Sequence, residues 1–396
     1  MNKLALLVGV SKYTSALEPL PGAEQDVLAV QEVLEDEEMG GFRKVIPLVN
    51  PSVQNLRRGI YDFFTERNRD DLLLFYFSGH GVKDQHRNLY LTTPETEKNS
   101  KGLVVTPTAV TARYLQSQIS QSRSKRIVIV LDCCFSGAFA KGMTAKDDGE
   151  VDILGELGGK SRAILTSSSS TQYSFEQDDS QLSLYSRYLI EGIKTGAADQ
   201  DNDGRISVEE LHDYVKERVQ QASPAMTPQF YPVEEGYKIY LARSPQDDPQ
   251  LKYRQEAQKH IRKGNFSRVG LRILRQLRID LGLSTEEAER IEAEVLQPYR
   301  QYQQKLKEFT EAVEEVVEYE GGISPETLEE LQDYQKLLSL VDEDVEPIMA
   351  QYLTKVKPKP EPQPKHPVPQ KESEVELKSA KGIDYTRLRD LLAGGK

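Results

Sequence analysis

The chain has 396 residues, a length that predicts two or three domains. Charged residues make up 29% and hydrophobic residues 38%, which is enough apolar material for a core beneath a polar surface. The net charge is −12, and affinity for phosphate comes from clustered Lys and Arg. We therefore predict no nucleic-acid partner.

The cysteines and the apolar runs indicate where in the cell the protein is found. Cys133 and Cys134 are the only cysteines, and because they are adjacent they cannot crosslink distant segments. This excludes a disulfide framework and predicts a reducing, cytoplasmic setting. No apolar run approaches the roughly 20 residues of a membrane span, so we predict no membrane partner. Leu4–Val10 lacks a cleavage site, and we interpret it as a buried strand rather than a secretion signal.

Short apolar runs alternate with helical-period segments over the first 245 residues. The runs are Leu4–Val10, Val45–Val49, Leu72–Phe77, Ile127–Leu131, Ala163–Thr166 and Tyr237–Leu241. The helical segments are Ala23–Glu38, Ser52–Arg67, Ala109–Gln121, Leu184–Thr195 and Val208–Gln221. This alternation predicts an α/β fold with a mostly parallel sheet and helices on both faces. Catalytic residues in such folds lie beyond the carboxyl ends of the strands.

Two predicted strands end in residues that suit nucleophilic catalysis. Leu72–Phe77 is followed by Ser-Gly-His-Gly at 78–81, and Ile127–Leu131 by Asp-Cys-Cys-Phe-Ser-Gly at 132–137. A His and a Cys at such positions can form a base–nucleophile pair, and flanking glycines let a substrate backbone approach. The alternative is a structural His and an inert, buried Cys. His80 is the best-placed candidate base. The other histidines fall in a predicted hairpin, a surface helix, the helical region and a Pro-rich linker: His86, His212, His260 and His366.

The motifs together resemble one family of peptidases. Leu-Leu-Val-Gly-Val at 6–10, Phe-Tyr-Phe-Ser-Gly-His-Gly at 75–81 and Asp-Cys-Cys-Phe-Ser-Gly at 132–137 are similar to those of the caspase-like clan, and specifically of bacterial metacaspases. The resemblance covers about residues 1–243. His80 precedes Cys134 by 54 residues, near the separation of about 50 that is typical of caspases. A caspase-like fold is therefore expected.

The resemblance implies roles for individual residues. His80 would be the general base and acid, and Cys134 rather than Cys133 the nucleophile. The backbone N–H groups of Gly81 and Cys134 would form the oxyanion hole. The animal signature Gln-Ala-Cys-x-Gly is absent, which weakens any expectation of cleavage after Asp. Phe135 replaces the His that many metacaspases carry there.

The resemblance also implies an acidic pocket for the residue before the cleaved bond. Asp26 and Asp132 would line it, with Ser78 beside them, and accept Arg or Lys. A carboxylate pair suits a guanidinium, because bidentate charged hydrogen bonds form. The alternative for Asp26 is a carboxylate that stabilises the first turn of its own helix.

An Asp-rich segment at 199–210 fits the twelve-residue EF-hand loop. The matching positions are Asp199, Asp201, Asp203, Gly204, Ser207 and Glu210, with the backbone carbonyl of Arg205 at position 7. Oxygen ligands at alternate positions wrap a hard cation, and predicted helices flank the loop. We predict Ca²⁺ here, with a regulatory and a structural role both open. A solvated acidic turn is the alternative.

The rest of the chain carries no catalytic constellation. Residues 250–353 have helical periodicity, and we predict a regulatory or adaptor domain that binds a protein partner. Residues 355–376 are a Pro/Lys-rich linker, and 377–396 resemble the start of a genomes-uncoupled type tetrapyrrole-binding domain. The polar segment 141–160 contains Lys141, Lys146 and Lys160, so a self-cleavage site and a plain surface loop are both open.

These patterns together predict a calcium-responsive cysteine endopeptidase that cleaves after Arg or Lys through a thioester. Its substrates would be proteins or peptides with a basic residue at P1. No organic cofactor is predicted, since nucleotide-binding and zinc-protease motifs are absent. The main alternative is a catalytically silent scaffold that binds calcium and partners. An acyl-transfer enzyme that uses an amine as acceptor is a second alternative.

Overall fold

The computed structural model describes residues 2–14, 17–86, 88–133, 157, 162–167, 182–232, 238–245 and 248–353. The strands are β1 (Lys3–Gly9), β2 (Lys44–Val49), β3 (Leu72–Ser78), β4 (Gly81–Lys83), β5 (Leu89–Leu91), β6 (Val110–Thr111), β7 (Arg126–Asp132), β8 (Arg162–Thr166), β9 (Arg205–Ser207), β10 (Gln229–Tyr231), β11 (Tyr240–Arg243), β12 (Ile261–Arg262) and β13 (Asn265–Phe266). The helices are α1 (Gly22–Glu35), α2 (Val53–Phe64), α3 (Ala112–Gln121), α4 (Leu184–Lys194), α5 (Val208–Ala222), α6 (Pro249–Lys259), α7 (Arg268–Asp280), α8 (Thr285–Glu320), α9 (Pro325–Leu337) and α10 (Asp342–Leu353).

A six-stranded sheet forms the centre of the fold, in the order β10-β8-β7-β3-β1-β2. All neighbours pair in parallel except β10, which is antiparallel to β8 at one edge. The central pair, β3 and β7, runs in register from Leu72 opposite Arg126 to Ser78 opposite Asp132. The carboxyl ends of these two strands therefore lie side by side.

Two hydrophobic clusters cover the two faces of the sheet. Alternate residues of β1 belong to different clusters: Ala5 and Leu7 pack with α1, α4 and α5, whereas Leu6 and Val8 pack with α2 and α3. Every residue of β3 is buried, which explains its continuous apolar sequence. The predicted α/β fold with helices on both faces is confirmed.

Each of the six predicted runs overlaps a strand, but the last of them does not belong to the central sheet. The run Tyr237–Leu241 overlaps β11, which pairs with β9 in a separate two-stranded sheet. The sixth central strand is β10, whose three residues are only half-buried. Such a short segment gives no apolar run that a sequence pattern can detect.

Two further expectations need correction. Residues 250–353 have helical periodicity, yet β12 and β13 form a hairpin whose turn contains Lys263 and Gly264, both at positive φ. His212 was placed on a surface helix, whereas its side chain is buried on α5 and stacks on Phe230 at 5.4 Å between ring centroids. Three acidic residues close to it in sequence hid this burial: Glu209, Glu210 and Asp213.

The long helix α8 has Pro298 in its interior. Proline has no N–H for the carbonyl of Glu294, four residues earlier. Arg218 of α5 supplies donors instead, at 3.1 Å to the Glu294 carbonyl and 3.0 Å to the Val295 carbonyl. This fully buried guanidinium also lies 3.3 Å from Glu191 of α4.

The chain divides into two compact units, Met1–Gln301 and Tyr302–Lys396. The second has its own apolar cluster, which includes Phe309, Val313 and Leu338. Within the described ranges, no helix is both long enough and apolar enough to cross a membrane. The predicted segments 355–376 and 377–396 lie outside the described residues, and so does 141–160 except for Leu157.

Candidate active site

His80 lies just beyond the carboxyl end of β3, and neighbouring loops fix its backbone. Its N–H donates to the hydroxyl oxygen of Tyr13 at 3.0 Å. Its carbonyl accepts from the Thr92 hydroxyl at 2.7 Å and from the Thr92 N–H at 3.2 Å. Gly81, the predicted oxyanion residue, is buried and begins β4 directly after it.

A backbone carbonyl orients the His80 ring. Nε2 lies 2.9 Å from the carbonyl oxygen of Glu18, which can only accept, so Nε2 carries the proton. Nδ1 is then the nitrogen that can take a proton from a nucleophile. Burial lowers the pKa of His80, although the Glu18 carbonyl opposes this, so the ring is neutral at pH 7.

The neighbouring strand β7 ends at Asp132, and Cys133 follows it. Cys133 is 3% exposed and belongs to the cluster that packs on α2 and α3. Cys134, the predicted nucleophile, lies outside the described residues. The register of the two strands gives His80 and Cys134 the same offset, since each is two residues beyond the paired residues Ser78 and Asp132.

Asp26 and Asp132 are brought together, with serines between them. The Asp26 carboxylate accepts from the Ser78 hydroxyl at 2.8 Å and from the Ser183 N–H at 2.9 Å. Asp132 accepts from the Ser183 hydroxyl and from the Ser186 hydroxyl, the latter at 2.6 Å. Ser183 is the N-cap of α4 and therefore bridges both carboxylates. Asp26 accepts these bonds from other elements, and none of them comes from the first turn of its own helix.

The two carboxyl groups share an environment that disfavours two negative charges. Asp26 is fully buried and Asp132 is 6% exposed. Burial raises the pKa of Asp26 to about 8, and the nearby Asp132 adds to the shift. Burial also raises the pKa of Asp132, against the hydroxyl donors that lower it. At pH 7 the pair therefore holds a proton, and a cation that entered would displace it.

Sequence reasoning missed Ser183, Ser186 and the Glu18 carbonyl. Serines are common and a backbone carbonyl has no side-chain signature, so nothing in their local sequence marks them. One signal was available for Ser183: it precedes a predicted helix, where serine caps the N-terminus. Its distance of 157 residues from Asp26 leaves the contact itself invisible in the sequence.

The Asp-rich loop folds tightly between α4 and α5. The carboxylates of Asp199, Asp201 and Asp203 each offer an oxygen within 4.8 Å of the others. Backbone N–H groups of Asp203 and Gly204 donate to Asp199 at 3.2 and 3.0 Å. Asn202 and Gly204 adopt positive φ, which the sharp turn requires. Arg205 then begins β9.

Glu210 closes the loop at the start of α5 and keeps one oxygen available. Its Oε2 accepts from the Ser207 N–H at 3.0 Å in a capping box with Ser207. Its Oε1 is buried without a hydrogen-bond partner, and the residue is 8% exposed. A buried carboxylate oxygen without a donor is what a bound cation would satisfy.

The loop also has a cationic side chain and a contact to the helical region. Lys238 Nζ lies 3.1 Å from Asp201 and 3.9 Å from Glu210. The side chain of Gln255, on α6, donates to the Asp199 carbonyl at 3.0 Å and to the side chain of Asn202 at 3.1 Å. Burial raises the pKa of Asp199, and the charges of Glu210 and Asp203 add to it. The donor set therefore fits a hard divalent ion.

Comparison with known proteins identifies the family. No curated protein sequence matches the chain. The structure is similar to the crystal structure of caspase-1 from Spodoptera frugiperda, with 13% identity, a TM-score of 0.42, and coverage of 61% of this chain and 90% of that one. The family model for the caspase domain matches residues 2–240. More than half of the chain is thereby covered, and the protein belongs to the caspase-domain family of peptidases.

Proposed function

We propose that the protein is a calcium-responsive cysteine endopeptidase, of the metacaspase type, that cleaves peptide bonds after Arg or Lys. The observation that carries this proposal is the in-register pairing of β3 with β7, which ends at Ser78 and Asp132. The residues assigned to base, nucleophile and acidic pocket all lie within two positions of that paired end, apart from Asp26, which hydrogen-bonds to Ser78.

The catalytic step uses His80 and Cys134. His80 Nδ1 takes the thiol proton, and the sulfur of Cys134 attacks the substrate carbonyl carbon to form a tetrahedral oxyanion. His80 then gives the proton to the leaving amine, and a thioester remains. Water, deprotonated by His80, attacks the thioester and releases the carboxylic acid and the thiol. The Glu18 carbonyl holds the ring through Nε2 during these transfers.

The acid pair supports a basic P1 residue. A guanidinium or ammonium brings the positive charge that two buried carboxylates lack, and the proton on the pair then leaves. The hydroxyls of Ser78, Ser183 and Ser186 hold the carboxylates in place. An acidic P1 side chain would bring a further negative charge to a site that already disfavours two, so cleavage after Asp is disfavoured.

The Asp199–Glu210 loop supports a calcium response, because α4 leads from one site to the other. The N-cap of α4, Ser183, binds the acid pair, and Asp199 follows five residues after the end of the helix at Lys194. Calcium would be held by Asp199, Asp201, Asp203 and Glu210, and it would neutralise their mutual repulsion. Order in the loop would then stabilise the position of α4.

The first experiment measures hydrolysis of fluorogenic peptides that differ only in P1: Arg, Lys, citrulline and Asp. Cleavage after Arg and Lys is expected. The rate of hydrolysis should fall at least 1,000-fold in Cys134→Ala and in His80→Ala. Cys133→Ala is the matched control, and it should retain activity. Cleavage after Asp alone would contradict the pocket assignment. No cleavage and no alkylation of Cys134 would favour the silent scaffold, and ligated product masses would favour transpeptidation.

A second experiment tests the calcium role. Glu210→Gln keeps the capping box but removes a charge, so it should weaken calcium binding at least tenfold by calorimetry and raise the calcium needed for activity. Asp213→Asn, an exposed acid just outside the loop, is the control. Lys238→Met should tighten calcium binding, because the ammonium no longer competes for Asp201. Identical affinity in all three variants would contradict the site.

A further inference from the structure

One helix of this acidic protein is strongly basic. Residues 257–279 contain seven Lys or Arg and no Asp or Glu, whereas the whole chain has a net charge of −12. The other 373 residues therefore sum to −19. The β12–β13 hairpin lies inside this stretch, and so does α7 except for its last residue, Asp280.

The inner side of α7 is already packed. Leu274 is fully buried and Leu277 is partly buried in a cluster with Tyr253, Ile291 and Val295 from α6 and α8. Gly270 is also buried, and a Cβ there would meet His260. The helix is therefore preformed and firmly attached, so its free side needs no folding step to act.

The outer side of α7 combines positive charge with exposed aliphatic side chains. We define the α7 outer face by six exposed residues: Arg268, Val269, Arg272, Ile273, Arg275 and Ile279. Val269 is 66% exposed, Ile273 39% and Ile279 62%. These are three of only seven large hydrophobic side chains exposed among the described residues. Exposed hydrophobic residues that are grouped on one short helix are typical of an interaction site.

The arginines of the α7 outer face have no carboxylate partner within the described part of the chain. Salt bridges form elsewhere in the helical region, for example Lys259 with Glu256 at 3.1 Å. Arg278, on the inner side, donates to the Leu283 carbonyl instead. Asp280, at the C-terminal end of the helix, accepts from Gln276 at 2.9 Å. The three guanidinium groups are therefore available to an external anion.

We propose that the α7 outer face docks the protein on membranes that contain anionic phospholipids. A ligand for this face must neutralise arginines and also take up aliphatic side chains over the same three or so turns of helix. An anionic bilayer offers both, because phosphate headgroups lie directly above acyl chains. Nucleic acid offers the charge without an apolar layer. The attachment is peripheral and requires no membrane-spanning helix, so it departs from the sequence-based prediction of no membrane partner, which considered only membrane spans. It also goes beyond the proposed peptidase function.

Charge separation gives this docking an orientation. The acidic remainder of the chain is repelled by the same surface that attracts α7, so the basic stretch faces the lipid. The attraction of each Arg acts within a Debye length of about 8 Å at physiological salt. The binding is consequently reversible and weakened by salt.

The test is sedimentation of the full chain with vesicles of phosphatidylcholine, alone or with 30% phosphatidylserine. Binding to the anionic vesicles is expected to be at least tenfold stronger. In the triple variant Arg268→Gln, Arg272→Gln, Arg275→Gln, the affinity for anionic vesicles should fall roughly 100-fold, at about fivefold per arginine. In the triple variant Val269→Ser, Ile273→Ser, Ile279→Ser, the same affinity should fall at least tenfold. Removal of three exposed lysines elsewhere, Lys44→Gln, Lys101→Gln and Lys125→Gln, is the charge-matched control and should change binding less than twofold.

Three results would overturn the proposal. The first is absence of binding to anionic vesicles by a wild-type chain with normal circular dichroism. The second is equal loss in the lysine control, which would mean non-specific attraction. The third is wild-type affinity of the serine variant for anionic vesicles, together with displacement of the protein from those vesicles by polyglutamate. That result would point to an acidic protein partner. Peptidase activity is not needed for any of these readouts.

Discussion

At the scale of single residues, Ser183 connects the two halves of the proposed pocket. Its N–H donates to Asp26 and its hydroxyl donates to Asp132, so one residue at the start of α4 sets the spacing of both carboxylates. A hydroxyl that donates to a carboxylate contributes more than a neutral pair does, about 1.5–3 kcal/mol. Substrates with a basic P1 residue should therefore be sensitive to this position.

Ser183→Ala should raise KM for the Arg peptide about 10- to 100-fold while kcat changes less than threefold. Ser183→Thr should restore most of the affinity, since it keeps the hydroxyl. Loss of the helix cap alone also costs about 1 kcal/mol of stability. Ser52→Ala, which removes the N-cap of α2 away from the site, controls for that cost. An equal rise in KM for the citrulline peptide would contradict a role in charge recognition.

The buried carboxyl pair predicts a pH dependence with a defined sign. Asp26 has a pKa near 8, so below that pH the pair holds a proton and has one negative charge fewer. As the pH rises through 8, the proton leaves and attraction to guanidinium grows. KM for the Arg peptide should therefore fall between pH 7 and 9, whereas KM for the citrulline peptide stays flat. A rising KM for Arg over that range would contradict the assignment.

At the scale of elements, the β3–β7 pair shows what the sequence can and cannot predict. Both strands are continuous apolar runs because both faces are covered, and their ends were found by the same reasoning. The His80 position followed from that end. Ser183 could not be found in this way, because it reaches the pocket only through the packing of α4 against α1. Tertiary contacts of this kind leave no periodic signal.

The contact between α5 and α8 could not be predicted from helix propensities. A proline in a helix normally costs about 3 kcal/mol, partly through the lost hydrogen bond. Here Arg218 donates to the Glu294 carbonyl that Pro298 leaves without a backbone donor. The peptidase-domain helix α5 is thereby attached to the helical region through buried polar bonds.

Arg218→Met should lower the free energy of unfolding by about 3–5 kcal/mol, because Glu191 and two carbonyls lose their donor. In a Pro298→Ala background the loss should be smaller by about 1 kcal/mol, since the introduced alanine returns a backbone N–H to the carbonyl of Glu294. Urea denaturation of the four variants measures this coupling. Arg58→Met, which breaks an exposed ion pair with Asp62, should cost less than about 1 kcal/mol. Strict additivity of the two changes would contradict the proline explanation.

At the scale of the whole molecule, the charge of −12 acts on substrates before they bind. An acidic protein attracts basic peptides, and dissolved salt screens this attraction, with a Debye length of about 10 Å at 0.1 M and 3 Å at 1 M. The ratio kcat/KM for an Arg peptide should therefore fall severalfold over that range. The citrulline peptide is the internal control, and an equal fall for both would indicate an effect of salt on the enzyme itself.

The burial of Cys133 has a practical consequence for counting molecules. The chain has two thiols, and one of them is enclosed in the core beneath β7. A small alkylating reagent can therefore label at most one sulfur per native chain, but two per unfolded chain. Stoichiometry by mass spectrometry would then report the folded fraction of a preparation. If the single label falls on Cys134, the same measurement gives the concentration of competent active sites.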